Sequence, residues 1–304
     1  MRVPNIVQEN RRLRVSQYKI PGEIHLKGDR LFWQPVKEWK QVKPTTETFE
    51  RFLDLAGSSD DAILRFAQEW GVLWLCKEHT EPVSDVQHWK CIPLNPDPAD
   101  PPETYSADSA KVWRKYFASE GEPTSTYRRW SRLAGAVLRI CERHDDGKPA
   151  AAADWQILWD DRWFVKGDQA TWTQDPKWSH WDRLELLVEK SYMVGALNRW
   201  LEIGNVRPRI VPDDKGDPTL TLGVDGLFGT LAVSLLESAG NYVVAGCTGC
   251  RRFYRPSMRP KSGQDRYCQI CRDAKIPEAR ANHRKALRRQ EERKKKRPAP
   301  APKR

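Results

Sequence analysis

The stretch that decides how this chain is read is Cys247-Thr248-Gly249-Cys250, followed by seventeen residues and then Cys268-Gln269-Ile270-Cys271. A single CxxC is compatible with a redox pair, a metal knuckle or coincidence. Two of them across such a linker suit one tetrahedral ion, each knuckle supplying two sulfurs. Thr248-Gly249 and Gln269-Ile270 fit tight turns, with Gly249 able to take positive φ. Arg251, Arg252, Arg266 and Arg272 flank the pairs and favour the thiolate, which is the ligating form. Four thiolates leave no open position on Zn²⁺, so the expected cofactor is one structural zinc per chain, held by Cys247, Cys250, Cys268 and Cys271. An iron–sulfur cluster takes the same ligands, and two structural or redox cysteine pairs are the metal-free alternative. The simple two-plus-two spacing favours zinc.

Beyond the second pair, Pro277 suits the first turn of a helix. The residues after it then run helically through Arg289 toward Lys296. Arg280, Arg284 and Arg288, with Lys285 and Arg289 less well aligned, form one broad cationic surface on that helix. Ala279, Asn282, Ala286 and Leu287 are small or less charged, and Arg and Asn on such a helix can reach base edges in the major groove. In the linker, Arg251, Arg252 and Arg255 alternate with aromatics. Phe253 and Tyr267 are expected in a miniature core around the metal, and Tyr254 as the exposed contact. His283 is not needed as a ligand once four cysteines fill the site. Pro298 to Pro302 alternate with Ala, and residues 298–304 read as a disordered tail.

The charge is distributed to match. Residues 251–304 carry 20 Lys/Arg against 5 Asp/Glu, whereas residues 1–250 carry 32 against 36, within a net charge of +11. A mildly acidic body with a strongly basic end points to a polyanionic partner. Nucleic acid is that partner by expectation, DNA favoured over RNA, and its contacts are Arg251, Arg252, Arg255, Arg280, Asn282, Arg284, Lys285, Arg288 and Arg289. If most of them meet phosphates, they set position more than sequence.

Toward the N-terminus the pattern is mostly helical. Glu23 to Trp33 alternates around Gly28-Asp29 and predicts a small β element, with Leu13–Ser16 a further short strand. Helices are predicted over 47–55 and over 60–70, the second capped by Ser58 or Ser59 and ended by Gly71. Val72–Cys76 reads as a short buried run. Six prolines mark 81–104 as a loop, where His88 and Cys91 match no metal template. Residues 106–145 read as two helices, or one interrupted at Gly121-Glu122-Pro123. Residues 151–182 are rich in Trp and read as packing core, with a caged cation or stacked base as the rarer use. A helix over 181–203, a hairpin of 206–211 with 219–224, a helix over 226–239 and a strand over Tyr242–Ala245 complete the body. Gly226 and Gly229 are expected to permit close packing, since no phosphate-loop motif is present.

The fold class is therefore α+β: a mainly helical body with short β-hairpins, then a C-terminal four-Cys zinc ribbon and a basic helix. The expected boundaries are 1–246 for the body, 247–276 for the finger, 277–297 for the basic helix and 298–304 for the tail. No leading apolar run of signal-peptide type and no membrane-length apolar stretch is present, so the expected setting is the reducing cytoplasm, without a membrane partner. No clustered carboxylates or His–metal arrangement support a nuclease or another enzyme. An RNA-binding or protein-interaction module with a structural zinc is the other class. The body is left as the surface for a homo-oligomer or a protein partner.

Three body segments, Phe52-Leu53-Asp54-Leu55-Ala56, Phe66 to Leu73 and Leu197-Asn198-Arg199-Trp200-Leu201, together with the C-terminal cysteines and basic helix, resemble a layout found in bacterial, often actinobacterial, proteins. That layout is similar to the CGNR-type zinc-finger family. The resemblance implies an α-helical/β N-terminal region, a C-terminal zinc finger and a role as a DNA-binding transcriptional regulator. The motif naming that family is absent, for the last knuckle continues Cys271-Arg272-Asp273-Ala274. Only the ligand roles of the four cysteines carry over.

Overall fold

The computed structural model describes residues 18–33, 39–42, 44–75, 121–160, 185–212, 218–224, 226–241, 244–256 and 264–295. The expected strand over Leu13–Ser16, the Pro-rich loop and the proline–alanine tail lie outside them, as does most of the Trp-rich segment. The chain divides into two compact units, Met1–Val243 and Val244–Arg304. The described residues are mostly helical, with short antiparallel strands. Among them, no helix is long and apolar enough to cross a membrane.

The first unit is built around helix α3, Thr124–Asp145, which follows α1 (Thr46–Leu53) and α2 (Asp60–Trp70). Its buried residues run almost all round, from Tyr127 and Trp130 through Leu133 to Ile140. A helix apolar on most of its faces must be central. Around α3 lie α1, α4 (Ala152–Asp160), α5 (Glu185–Ile203) and α6 (Leu227–Asn241). Trp130 of α3, Trp200 of α5 and Phe228 of α6 meet in one three-ring cluster, with centroids 4.7–4.9 Å apart. At the crossing of α5 and α6, Gly229 stands against Gly204: a Cβ on Gly229 would lie 2.6 Å from the Gly204 carbonyl oxygen. The close packing expected of Gly229 is thus direct backbone contact.

The expected hairpin is present as β2 (Ile24–Lys27) and β3 (Arg30–Trp33), turning at Gly28 with φ +62°. Sequence reading missed the pairing of β1 (Tyr18–Pro21) with β4 (Trp39–Val42), and of β3 with β5 (Glu122–Pro123). Strands β6 (Arg207–Pro212) and β7 (Pro218–Gly223) form the second hairpin. Ser59 caps α2 by accepting from the Ala62 N–H, and Gly71 closes it at φ +94°. Of the run after it, Val72–Leu75 are described and buried, and Trp74 holds a left-handed φ of +60°. This segment joins no sheet, so its amides need other acceptors. Glu122, fully buried, provides them: its carboxylate accepts from Leu73 N–H at 3.0 Å, Leu75 N–H at 3.4 Å and the Tyr127 hydroxyl at 2.7 Å.

Candidate metal centre

The second unit opens with β8, Ala245–Gly246, which pairs with β9, Phe253–Tyr254. The strand expected over Tyr242–Ala245 is therefore described only at its end, shifted by one residue. The first cysteine pair sits in the turn of this hairpin. Cys247 N–H donates to Arg252 O at 2.9 Å, and Arg251 N–H donates back to Cys247 O at 2.8 Å. The left-handed residue of the turn is Arg251, at φ +63°, and not Gly249. Gly249 is small for a different reason: a Cβ there would lie 2.8 Å from Cys271 Sγ.

The second pair is built differently. Cys268 is the N-cap of helix α7 (Gln269–Asp273), and Cys271 lies inside it. Gln269-Ile270, expected in a tight turn, form the first turn of that helix instead. Lys275, at φ +54°, breaks it from α8 (Ile276–Lys295). Thr248 ties the two pairs together: its N–H donates to Arg266 O at 2.6 Å, and its hydroxyl accepts from Arg266 N–H at 2.9 Å.

The four sulfurs lie within 4.8 Å of one another. Cys250 Sγ and Cys268 Sγ are 3.7 Å apart. A tetrahedron with zinc–sulfur bonds of about 2.3 Å has edges of about 3.8 Å, whereas a disulfide would close to about 2.05 Å. This geometry suits four ligands on one metal ion. Cys247, Cys268 and Cys271 are buried, and Cys250 is exposed. Burial opposes ionisation of Cys247, yet N–H groups of Cys268, Cys250 and Gly249 aimed at its sulfur bring it down to about 6. The Cys268 N–H is 3.3 Å away. Burial and the neighbouring sulfurs push Cys271 up to about 12. The Cys247 sulfur is thus the one most disposed to be a thiolate, while Cys271 would have to give up its proton to bind a cation.

Around the cysteines, Tyr267 is buried, and Tyr254 and Ile276 pack against the cluster. Tyr254, expected as an exposed contact, is half-buried, and burial raises its hydroxyl pKa. Arg251, Arg252 and Arg255 are exposed around the hairpin. On α8, Arg280, Asn282, Arg284, Lys285, Arg288 and Arg289 are all exposed. They do not stand alike. Arg284 donates to Asp265 at 2.7 Å, and that hydrogen bond holds the Asp265 carboxyl below its ordinary value. Tyr267 hydroxyl donates to the same carboxylate at 3.3 Å. Asp265 was not singled out from sequence, where its only signal is an acid three residues before Cys268 in a basic linker.

Comparison with known proteins adds no relative to this geometry: no family model matches the chain, and neither does any curated protein or solved structure.

Proposed function

We propose that this chain is a zinc-dependent nucleic-acid-binding protein, a DNA-binding transcriptional regulator of the bacterial cytoplasm whose working end is the C-terminal unit. The observation that carries this reading is a cationic helix rooted in a four-cysteine cluster. Helix α8 bears eight Lys/Arg against three Glu. Every residue from Asn282 to Glu292 is exposed. A helix polar all round gains little from packing and depends on an anchor at one end and a partner along its length. Its first residue, Ile276, packs against the cysteines. A polyanion is the partner its charge selects. The zinc is structural, because four thiolates fill the coordination sphere. The resemblance in layout to CGNR-type proteins supports the same reading.

The test uses the full chain and its Cys268→Ser variant. Metal content is measured by mass spectrometry, and binding to labelled DNA and RNA duplexes by anisotropy across a salt series. One zinc per chain is expected. The slope of log K against log salt should be about −5, as for roughly six neutralised phosphates. The variant should lose the metal, and with it part of its affinity. A flat salt response, or undiminished binding by the metal-free variant, would sink the proposal.

A further inference from the structure

We infer that the face of α8 that meets duplex DNA is the one bearing Asn282, Lys285, Ala286 and Arg289, and not the Arg280–Arg284–Arg288 row that the sequence aligns. This inference rests on the nucleic-acid reading above and specifies its geometry. Two contacts show how the helix is rolled against its own unit. Ile276 packs on the cysteine cluster. Two turns later, Arg284 reaches Asp265 in the segment leading to Cys268. Both contacts belong to one side of the helix, and Asp265 also lies close enough to Arg280 to feel its charge. At about 100° per residue, Asn282, Ala286 and Arg289 fall about 140–160° around the axis from Arg284, with Lys285 about 100° away. All four are exposed.

The chemistry of this outward face suits the major groove. Arg pairs with the acceptor edge of guanine and Asn with adenine, both by two hydrogen bonds. Ala286 between them lets the helix backbone approach closely. Lys285 at the margin suits a phosphate. Two acids bound the face: Glu278 in the first turn and Glu292 beyond Arg289. Each would repel phosphate, so the contact is confined to the window between them. From Asn282 to Arg289 the rise is about 10 Å, and the major groove is about 12 Å wide. The groove of duplex RNA is too deep and narrow for a helix. Asp265 meanwhile occupies Arg284 as a phosphate would.

The probe is a random-sequence DNA duplex pool, from which the zinc-loaded wild type selects its preferred sites. Asn282→Ala and Arg289→Ala should each weaken binding to the selected duplex by about 5- to 150-fold and relax its sequence preference. Lys285→Ala should weaken all duplexes alike and lower the salt slope by about 1. Arg284→Ala should leave the selected sequence unchanged and alter affinity less than about threefold, as for an exposed ion pair. Metal content and circular dichroism confirm that each variant is folded. Loss of selection with Arg284→Ala but not with Arg289→Ala would overturn the face while leaving nucleic-acid binding intact. Equal affinity for a matched RNA duplex would overturn the groove. Wild type that binds no nucleic acid at low salt would overturn the functional reading itself, and the face with it.

Discussion

Gly249→Ala tests the metal centre without touching a ligand. The new Cβ would stand 2.8 Å from Cys271 Sγ, 3.3 Å from Cys271 Cβ and 3.4 Å from Ile276 Cγ2. Non-bonded carbon contacts are comfortable at about 3.5–4.0 Å, so the sulfur or the knuckle must move by about 0.7 Å or more. A metal ligand tolerates only about 0.2 Å. Gly249 lies between Cys247 and Cys250, and its neighbour Thr248 holds Arg266 by two hydrogen bonds, so the knuckle has little room to retreat. Overpacking of this kind costs about 1–3 kcal/mol. At about 1.4 kcal/mol per tenfold, this corresponds to metal affinity about 5- to 150-fold weaker. The assay is competition with a chromophoric chelator on the full chain, with Co²⁺ substitution to read the geometry of the site. Gly195→Ala is the control, because among the described residues nothing beyond its own stretch of helix lies within 4 Å of the added methyl. An unchanged chelator midpoint and Co²⁺ spectrum for Gly249→Ala would refute the argument that the two cysteine pairs close over this glycine.

Gly229→Ala would put a methyl 2.6 Å from the Gly204 carbonyl oxygen and 3.1 Å from Val224 Cβ. It should cost about 3 kcal/mol or more in urea unfolding, since the first obstacle is backbone; a loss below about 1 kcal/mol would mean that α5 and α6 part easily. Glu122→Gln turns one of three satisfied acceptor contacts into a donor facing donors, for a cost of about 2–3 kcal/mol by the same measurement. Tyr127→Phe should cost less, because it removes a donor and leaves the carboxylate its backbone partners. Metal uptake at pH 7 should release fewer than four protons, as read by titration in weakly buffered solution. Cys247 titrates at about 6 and is already mostly ionised there, whereas Cys271, at about 12, still carries its proton. The sign follows: affinity rises with pH well above neutrality, because Cys271 remains to be deprotonated, and acid weakens binding further as Cys247 takes up a proton below about pH 6. Release of all four protons at pH 7 would contradict a preformed Cys247 thiolate.

The cysteine set was legible because ligand spacing is a local property of the chain. The backbone carrying those ligands was less so. A CxxC can sit in a hairpin turn or at the head of a helix, and here it does each once: Cys247 and Cys250 in the β8–β9 turn, Cys268 and Cys271 on α7. The helices over 60–70 and 185–203 were readable from apolar periodicity and from Ser59 and Gly71 at the ends of the first. The β1–β4 pair was not, since four-residue strands joined across seventeen intervening residues leave almost no pattern. Glu122 is a sharper case. An acid between Gly121 and Pro123 reads as a turn, and only the tertiary fold places it beneath the amides of Leu73 and Leu75. Asp265 with Arg284 is the same kind of omission. The wheel of α8 aligns Arg280, Arg284 and Arg288, but it cannot say which side a distant carboxylate will claim.

These omissions share a cause, and it separates the two units. In the larger one, Trp130, Trp200 and Phe228 drive burial and the polar groups are fitted to it. Sequence reveals the driving residues and hides the fitted ones. In the smaller one, the buried set among the described residues is Val244, Ala245, Cys247, Tyr267, Cys268 and Cys271, with Tyr254 and Ile276 packed against the cysteines. So few apolar atoms cannot offset the conformational entropy of the chain they would have to order. The proposed zinc does what an apolar core does elsewhere, and its binding free energy is folding free energy for this segment. Helix α8 inherits that dependence, since its first residue rests on the cysteine cluster and the ion pair that Arg284 makes farther along is exposed and worth little alone. Removal of the metal therefore acts on the cationic face indirectly. The charges stay on the chain, but the anchor that holds Arg284 toward Asp265, and Asn282 and Arg289 outward, is gone. Affinity for a polyanion can survive such a loss in part, because charge alone supplies it, whereas discrimination among sequences requires the fixed face and should vanish first.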